Sequence, residues 1–304
     1  MPALHYLHYD VFTSRPFEGN QLAVFDDARG IDGAEMQRLT REMNFAESTF
    51  LLPPERPDTD IRMRIFTPGR EMPMAGHPTV GTTFALAHRG DIAPGRARWV
   101  FGLNIGPTAV ALDWAGDRLE TAWMDQGRPE WRPAVTPAEE VLAAINADRA
   151  AWRSTGWPIE EWSCGNAFVY VPLATRAAVD ACEPDLAAMR RIESAFPGGH
   201  VGVFVFSAEG AGDGATVYSR MFAPDAGVVE DPATGSACGP LGGYLVRHGV
   251  VAIAEGRHFV SAQGVKMGRP SRVLMRVEST PTREVTRVHV GGSAVCVGEG
   301  TLTW

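Results

Sequence analysis

The sequence is almost without lysine. It has 28 basic residues, and Lys266 is the single lysine among them; the other 27 are arginine. A Schiff-base enzyme needs a lysine amine, and a P-loop needs one against its phosphates. Either role would fall on Lys266, which lies in the turn-like stretch Gln263-Gly264-Val265-Lys266-Met267-Gly268-Arg269-Pro270. Pyridoxal phosphate and P-loop chemistry are therefore disfavoured. Cysteine is also scarce. Cys164, Cys182, Cys238 and Cys296 form no CxxC pair, which removes zinc-knuckle and thioredoxin-type motifs, and isolated thiols suit a reducing compartment. No apolar run approaches the roughly 20 residues that span a bilayer. Met1 to Asp10 has neither the basic start nor the apolar stretch of a signal peptide. A cytoplasmic protein that avoids membranes is expected. No basic run is present, and the net charge is −8, so nucleic acid is not an expected partner; a small diffusible partner fits better. No GxGxxG follows a strand, so a dinucleotide-binding fold lacks its main mark.

The 304 residues suggest two domains at about 150 residues each, and 45% of them are hydrophobic, enough for a sizeable core. Glycine is plentiful, at 33 residues. Strands are expected over 4–13, 21–25, 47–52 and 61–66, with further short strands near 97–101, 108–112 and 118–124. Asp32 and Glu35 have the spacing of a capping box for a helix over 33–43. An apolar helix is expected over 78–88. The proline-bearing stretch 125–135 reads as a crossover between domains, and Thr136-Pro137-Ala138-Glu139 as an N-cap, an N1 proline and a capping-box acid. Strands over 201–206 and 216–222 and a helix over 232–248 follow. Strands outnumber helices and often succeed one another directly, which argues for an α+β fold with antiparallel or mixed sheets.

Two short motifs recur. Arg64-Ile65-Phe66-Thr67-Pro68 matches Arg220-Met221-Phe222-Ala223-Pro224 at an offset of 156, and His77-Pro78-Thr79-Val80-Gly81-Thr82 matches Asp231-Pro232-Ala233-Thr234-Gly235-Ser236 at 154. Ordered matches at nearly equal offsets point to a duplicated architecture. In each copy His77 or Asp231 is expected at the N-cap and the proline at N1. The glycines and hydroxyl residues after it would let an anion approach free amides, where a helix start carries about half a positive charge. Ordinary helix capping explains each turn taken singly.

Glu230-Asp231-Pro232-Ala233-Thr234-Gly235-Ser236-Ala237, Met74-Ala75-Gly76-His77-Pro78-Thr79-Val80-Gly81 and Phe17-Glu18-Gly19-Asn20-Gln21-Leu22-Ala23-Val24 together resemble the phenazine-biosynthesis isomerase (PhzF-like) family. Phe45-Ala46-Glu47-Ser48-Thr49-Phe50 and Gly268-Arg269-Pro270-Ser271 resemble further motifs of that family, in the same order, so the likeness runs along essentially the whole chain. It implies a diaminopimelate-epimerase-like fold, with two similar α+β domains, each a curved, mostly antiparallel sheet around a central helix, and an active site between them. The implied domains are 1–124 with 293–304, and 125–292. The family is cofactor-independent and typically homodimeric.

By the same resemblance Glu47 is the general acid/base. One carboxylate suffices to take a proton from one carbon of an allylic system and return it to another, a 1,3-proton shift on a small unsaturated carboxylic acid. The task calls for a pKa drawn up towards working pH, which burial beside Phe45 and Phe50 would supply. His77 and Asp231 carry over as catalytic relay groups; Gly76, Gly235 and the amides of Ser236 and Ala237 hold the substrate carboxylate, and Asn20 lines the substrate-binding cleft. Capping roles for His77 and Asp231 and a plain turn role for Asn20 are the rival readings. An epimerase or racemase of this fold uses two cysteines, one per domain; here Ala75 stands where the first would be, and Cys238 lies near the second. A small buried helix residue is the simpler role for Cys238. A non-catalytic binder of small acids on the same scaffold remains the alternative of a different class.

Overall fold

The computed structural model describes residues 2–196, 201–224, 227–252 and 258–304. It divides into two compact units, 1–125 with 291–304, and 126–290. The first contains strands β1 (Ala3–Val11), β2 (Asn20–Phe25), β3 (Glu47–Leu52), β4 (Ile61–Phe66), β5 (Glu71–Met72), β6 (Arg98–Leu103), β7 (Gly106–Ala115), β8 (Arg118–Gly127) and β18 (Ala294–Thr303), with helices α1 (Gly33–Met43) and α2 (Gly76–Arg89). Pairing runs β18-β1-β2-β3-β4-β6-β7-β8, with β5 a short antiparallel addition to β4. The β2–β3 and β4–β6 pairs are parallel and the rest antiparallel.

The second unit repeats this plan. Its strands are β9 (Glu130–Pro133), β10 (Glu160–Ser163), β11 (Ala167–Pro172), β12 (Gly202–Ser207), β13 (Val217–Ala223), β14 (Val228–Asp231), β15 (Phe259–Gln263), β16 (Ser271–Ser279) and β17 (Val285–Gly292). Its helices are α3 (Ala138–Ala144), α4 (Arg149–Arg153), α5 (Arg176–Ala181), α6 (Leu186–Ala195) and α7 (Gly235–Arg247). Pairing runs β9-β10-β11-β12-β13-β15-β16, again with β11–β12 and β13–β15 parallel and β14 added to β13. Strand for strand, β10 to β16 answer β1 to β7, β9 answers β18, and α7 answers α2.

The repeated arginine motif lies on equivalent strands. Arg64 of β4 makes a two-pronged bond to Glu71 at 2.8 and 2.7 Å, and Arg220 of β13 does the same to Glu230 at 2.8 and 2.9 Å. Paired N–H donors fit both carboxylate oxygens at once. Each bond thus pins the short added strand to its neighbour. The matched pairs sit 156 apart for the arginines but 159 apart for the acids. The second spacing also relates the helix starts, so His77 corresponds to Ser236, not to Asp231 as the sequence match suggested.

The helix limits correct the sequence in physical terms. Asp32 does cap α1, accepting from Glu35 N, but Glu35 turns to Arg38, so only half of the capping box forms. The N-cap of α2 is Ala75, which places Pro78 third in the helix. The N-cap of α7 is Thr234; Asp231 precedes it by three residues and takes the Thr234 hydroxyl at 2.6 Å. Pro137, not Thr136, is the N-cap of α3, with no side-chain bond. The stretch read as a crossover holds strand β9. Among the described residues no helix is long and apolar enough to cross a membrane.

One face of the first sheet covers α2, which packs on β1, β2, β3 and β18. The other face carries α1 over Ala23, Phe25, Phe50 and Phe66. Lys266 Nζ binds Asp180 O and Glu183 Oε1 at 2.7 and 2.6 Å, fastening its surface turn to the end of α5. Helix α2 lies very near its strands: a β-carbon on Gly81 would stand 2.6 Å from both Leu22 Cδ2 and Val11 Cγ2. In an open helix Gly81→Ala would stabilise by up to about 1 kcal/mol; here overpacking costs about 1–3 kcal/mol. The urea midpoint of Gly81→Ala is therefore expected to fall with an unchanged slope, and a rise would show that β1 and β2 yield freely.

Candidate active site

In the first unit three sequence-predicted residues come together from three elements. The turn between β1 and β2 is tight. Asp10, 1% exposed, accepts the Phe17 amide at 2.6 Å. Gly19 has φ +69° and a β-carbon there would strike Val11 O, so only glycine fits. The turn delivers Asn20 to the start of β2. Glu47 opens β3, level with Leu22. Side chains alternate along a strand, so Glu47 shares a face with Thr49, which meets Thr82 of α2 at 3.0 Å. His77, second in α2, places Nδ1 3.1 Å from Glu47 Oε2 and 3.4 Å from Asn20 Nδ2. The Glu47 and His77 side chains are only 12% and 5% exposed.

An ionised carboxylate only accepts, so Nδ1 must carry the proton in the Glu47 contact. Asn20 Nδ2 adds a second polar contact to the same ring nitrogen. His77 Nε2 is buried and makes no hydrogen bond. The expected flanking by Phe50 is not found. Phe50 points to the opposite face and stacks on Phe25 at 4.6 Å, while Phe45 lies on the His8 ring.

In the second unit the start of α7 is held by side chains outside the helix. Gln263 Oε1 accepts Thr234 N, and Gln263 Nε2 donates to Asp231 O and Thr234 Oγ1, at 2.8–3.1 Å. Gln126 Nε2 donates to Gly235 O, and Tyr170 donates to Ala237 O at 2.6 Å. Neither α2 nor α7 has a side-chain cap or an acid in its first turn. The Ala237 amide is engaged by Thr234 O at 3.1 Å. That leaves Gly235 and Ser236 as the open donors of α7, and Gly76 and His77 as those of α2, for an anion.

Sequence reasoning missed Gln126 and Gln263, which no motif marks. It also missed a third repeat that was visible: Gly165-Asn166 leads into β11 as Gly19-Asn20 leads into β2, whose first residue is Asn20. Following the ladders outward from Arg64 and Arg220 makes Phe50 equivalent to Val205, Leu22 to Phe168 and Glu47 to Gly202. The second unit thus has no carboxylate where the first has Glu47, and a β-carbon on Gly202 would stand 2.8 Å from the Phe168 ring. Thiols are no better placed. The helix-start positions are Ala75 and Thr234, and Cys238 lies a turn into α7, wholly buried, where burial pushes its thiol up to about 12. Among the described residues no group of three or more His, Cys, Asp or Glu could hold a metal ion.

The phenazine biosynthesis-like protein family (PhzC-PhzF) matches residues 9–300, and the chain belongs to it. The chain is 40% identical over 295 residues to trans-2,3-dihydro-3-hydroxyanthranilate isomerase of Pseudomonas aeruginosa, covering 97% of this chain and 98% of that one. It is 39% identical to the enzyme of the same name from Pseudomonas chlororaphis, over 98% of this chain and 99% of that one. Among solved structures it resembles a PhzF-family protein of Bacillus anthracis, with 28% identity, a TM-score of 0.88 and full coverage of both chains. A hydroxyproline epimerase of Agrobacterium vitis, 13% identical with a TM-score of 0.67 over 99% of this chain and 92% of that one, shares the fold alone. The fold is the α+β, diaminopimelate-epimerase-like one, and the protein is a PhzF-like isomerase.

The thiol assignment is open to direct test. A thiolate is the reactive form, and an unperturbed thiol titrates near about 8.5. Iodoacetamide at about pH 8 should label the partly exposed Cys164 and Cys296 of the native protein and leave Cys238 unmodified. Labelling of Cys238 at a comparable rate would show that burial does not hold it protonated.

Proposed function

We propose that the protein carries out a 1,3-proton shift on a small unsaturated carboxylic acid of the trans-2,3-dihydro-3-hydroxyanthranilate class, with Glu47 as the group that carries the proton. The observation behind this is the unequal duplication. One carboxylate touches an imidazole in the first unit, and its equivalent in the second is Gly202. Inversion at one carbon by two bases needs a group on each side; a shift along an allylic system needs one group that leaves with the proton and returns it.

In this scheme Glu47 is ionised at the start, steadied by the proton on His77 Nδ1. It takes a proton from the substrate's carbon, leaving the electron pair delocalised along the unsaturated system. It then gives the proton to the carbon at the far end of that system. Asn20 fixes the imidazole so that the carboxylate keeps its orientation. A buried ring nitrogen without a partner costs about 1–3 kcal/mol, and a substrate polar group at His77 Nε2 would relieve that cost. The open amides of Gly76 and His77, in the same unit as Glu47, hold the substrate carboxylate.

With trans-2,3-dihydro-3-hydroxyanthranilate in D₂O, the wild-type protein is expected to convert it with uptake of deuterium at carbon. General acid/base groups contribute about 10²–10⁴-fold, so Glu47→Gln should slow the exchange by about that factor while its circular dichroism stays unchanged. Exchange within tenfold of wild type would remove Glu47 from the role. Thermal stabilisation by the acid without exchange in the wild type would mark a binder instead.

A further inference from the structure

A cavity of about 300 Å³ lies in the first unit, where the two ends of its sheet approach each other beside the last turn of α2. Tyr9, Phe84, His88, Trp114, Leu119 and Cys296 line it. All of them belong to the first unit, and none belongs to the Glu47–His77–Asn20 cluster. Tyr9 is 2% exposed and its hydroxyl meets His88 Nδ1 at 2.9 Å.

The duplication explains why the space exists. The ladders that equate Leu22 with Phe168 also equate Tyr9 with Trp162, and through the end strands Cys296 with Trp131. The spacing of 159 between helix starts equates His88 with Arg247. In the second unit these three positions cover the seam with a stack whose outer ring, Trp131, is 42% exposed. Trp131 and Trp162 stack at 6.1 Å, and the Arg247 guanidinium lies 3.6 Å above the Trp131 ring. In the first unit a tyrosine, a cysteine and a histidine replace two indoles and a guanidinium. Phe84 stands where the second unit has Gly243, against which Trp162 packs, and it takes back part of the volume. The remainder is the cavity.

We propose that this cavity is a second binding site, for a neutral aromatic molecule of one ring or two fused rings, which takes the place the Trp131 indole occupies in the second unit. Its volume is at the lower end of the roughly 300–1,000 Å³ typical of small-molecule pockets. The Phe84 and Trp114 rings offer edge and face contacts to such a guest. The Tyr9–His88 pair supplies the polar contact that orients it.

Free indole is the probe, titrated into the full-length protein and followed by NMR of the His88 imidazole. Saturable shifts of the His88 signals, with a dissociation constant on the order of 1 mM or tighter, are expected. Cys296→Trp, which restores the residue of the second unit, should abolish them, and Cys296→Ala should retain them. Isomerase turnover should be unchanged in both variants, since neither touches the Glu47 cluster. If Cys296→Trp does not fold, Ala87→Leu fills the same space from the helix side. Absence of saturable His88 shifts in the wild type, or shifts that survive a folded filling variant, would overturn the proposal.

Discussion

In each unit one helix lies so close to the surrounding strands that side chains of the two compete for the same space. Val11 and Leu22 crowd Gly81 of α2; Val277 and Met275 crowd Gly242 of α7, and the Gln126 amide lies against Gly239. This contact holds both helices, and at the start of α7 Gln126, Tyr170 and Gln263 add to it. A side-chain cap is typically worth about 1 kcal/mol, and both helices go without one. Close packing of the helix body tolerates that loss, and open amides at the helix starts are the result. The same closeness sets His77 against Glu47, because a helix that cannot slide along β2 and β3 cannot carry its second residue away from the first residue of β3.

On this shared frame the two units have diverged at particular positions. The ion pairs of Arg64 with Glu71 and Arg220 with Glu230 are kept, and both serve to attach the short strand that leads to the helix start. Glu47 and Gly202 differ, and on the proposed scheme the capacity for proton transfer differs with them. Tyr9, Cys296 and His88 differ from Trp162, Trp131 and Arg247, and with them the filling of the seam. The units therefore divide chemistry from support. One carries the carboxylate; the other presents a helix start braced by Gln126, Tyr170 and Gln263.

Much of this was legible in the sequence. Local signals with a single explanation held: helix α1 begins at its Asp32 cap and ends at Met43, β3 ends before Pro53-Pro54, and β4 has the limits its alternation suggested. The duplication was visible in Arg64-Ile65-Phe66 and Arg220-Met221-Phe222. What misled was proline. His77-Pro78 and Asp231-Pro232 look alike, yet Pro78 is third in its helix and Pro232 lies two residues before a cap. A proline reports a fixed φ and a missing N–H, and both places accept that. Glu47 and His77 were found by motif, but their contact was not, since it joins a strand start and a helix start 30 residues apart. The orientation of Phe50 was in principle available from strand period alone. Gln126 and Gln263 were beyond reach, because a buried amide that braces a distant backbone leaves no local pattern.

A fold that hosts epimerases need not perform epimerisation, and here the reasons lie in individual side chains. An inversion would need a second base, and the candidates are poor ones. Gly202 has no side chain, Thr234 uses its hydroxyl on Asp231, and Cys238 is held protonated by burial. Removing one base from a two-base site does not leave half a catalyst. It leaves a site in which the remaining base must return its own proton, and productive return requires a second carbon within reach. In the proposed reaction an unsaturated acid supplies that carbon by delocalising the charge, so the chemistry shifts from inversion at one centre to transfer between two. The near absence of lysine is consistent with this scheme, since the one lysine is occupied with Asp180 and Glu183 at the surface and the proposed proton transfer calls on a carboxylate, an imidazole and backbone amides.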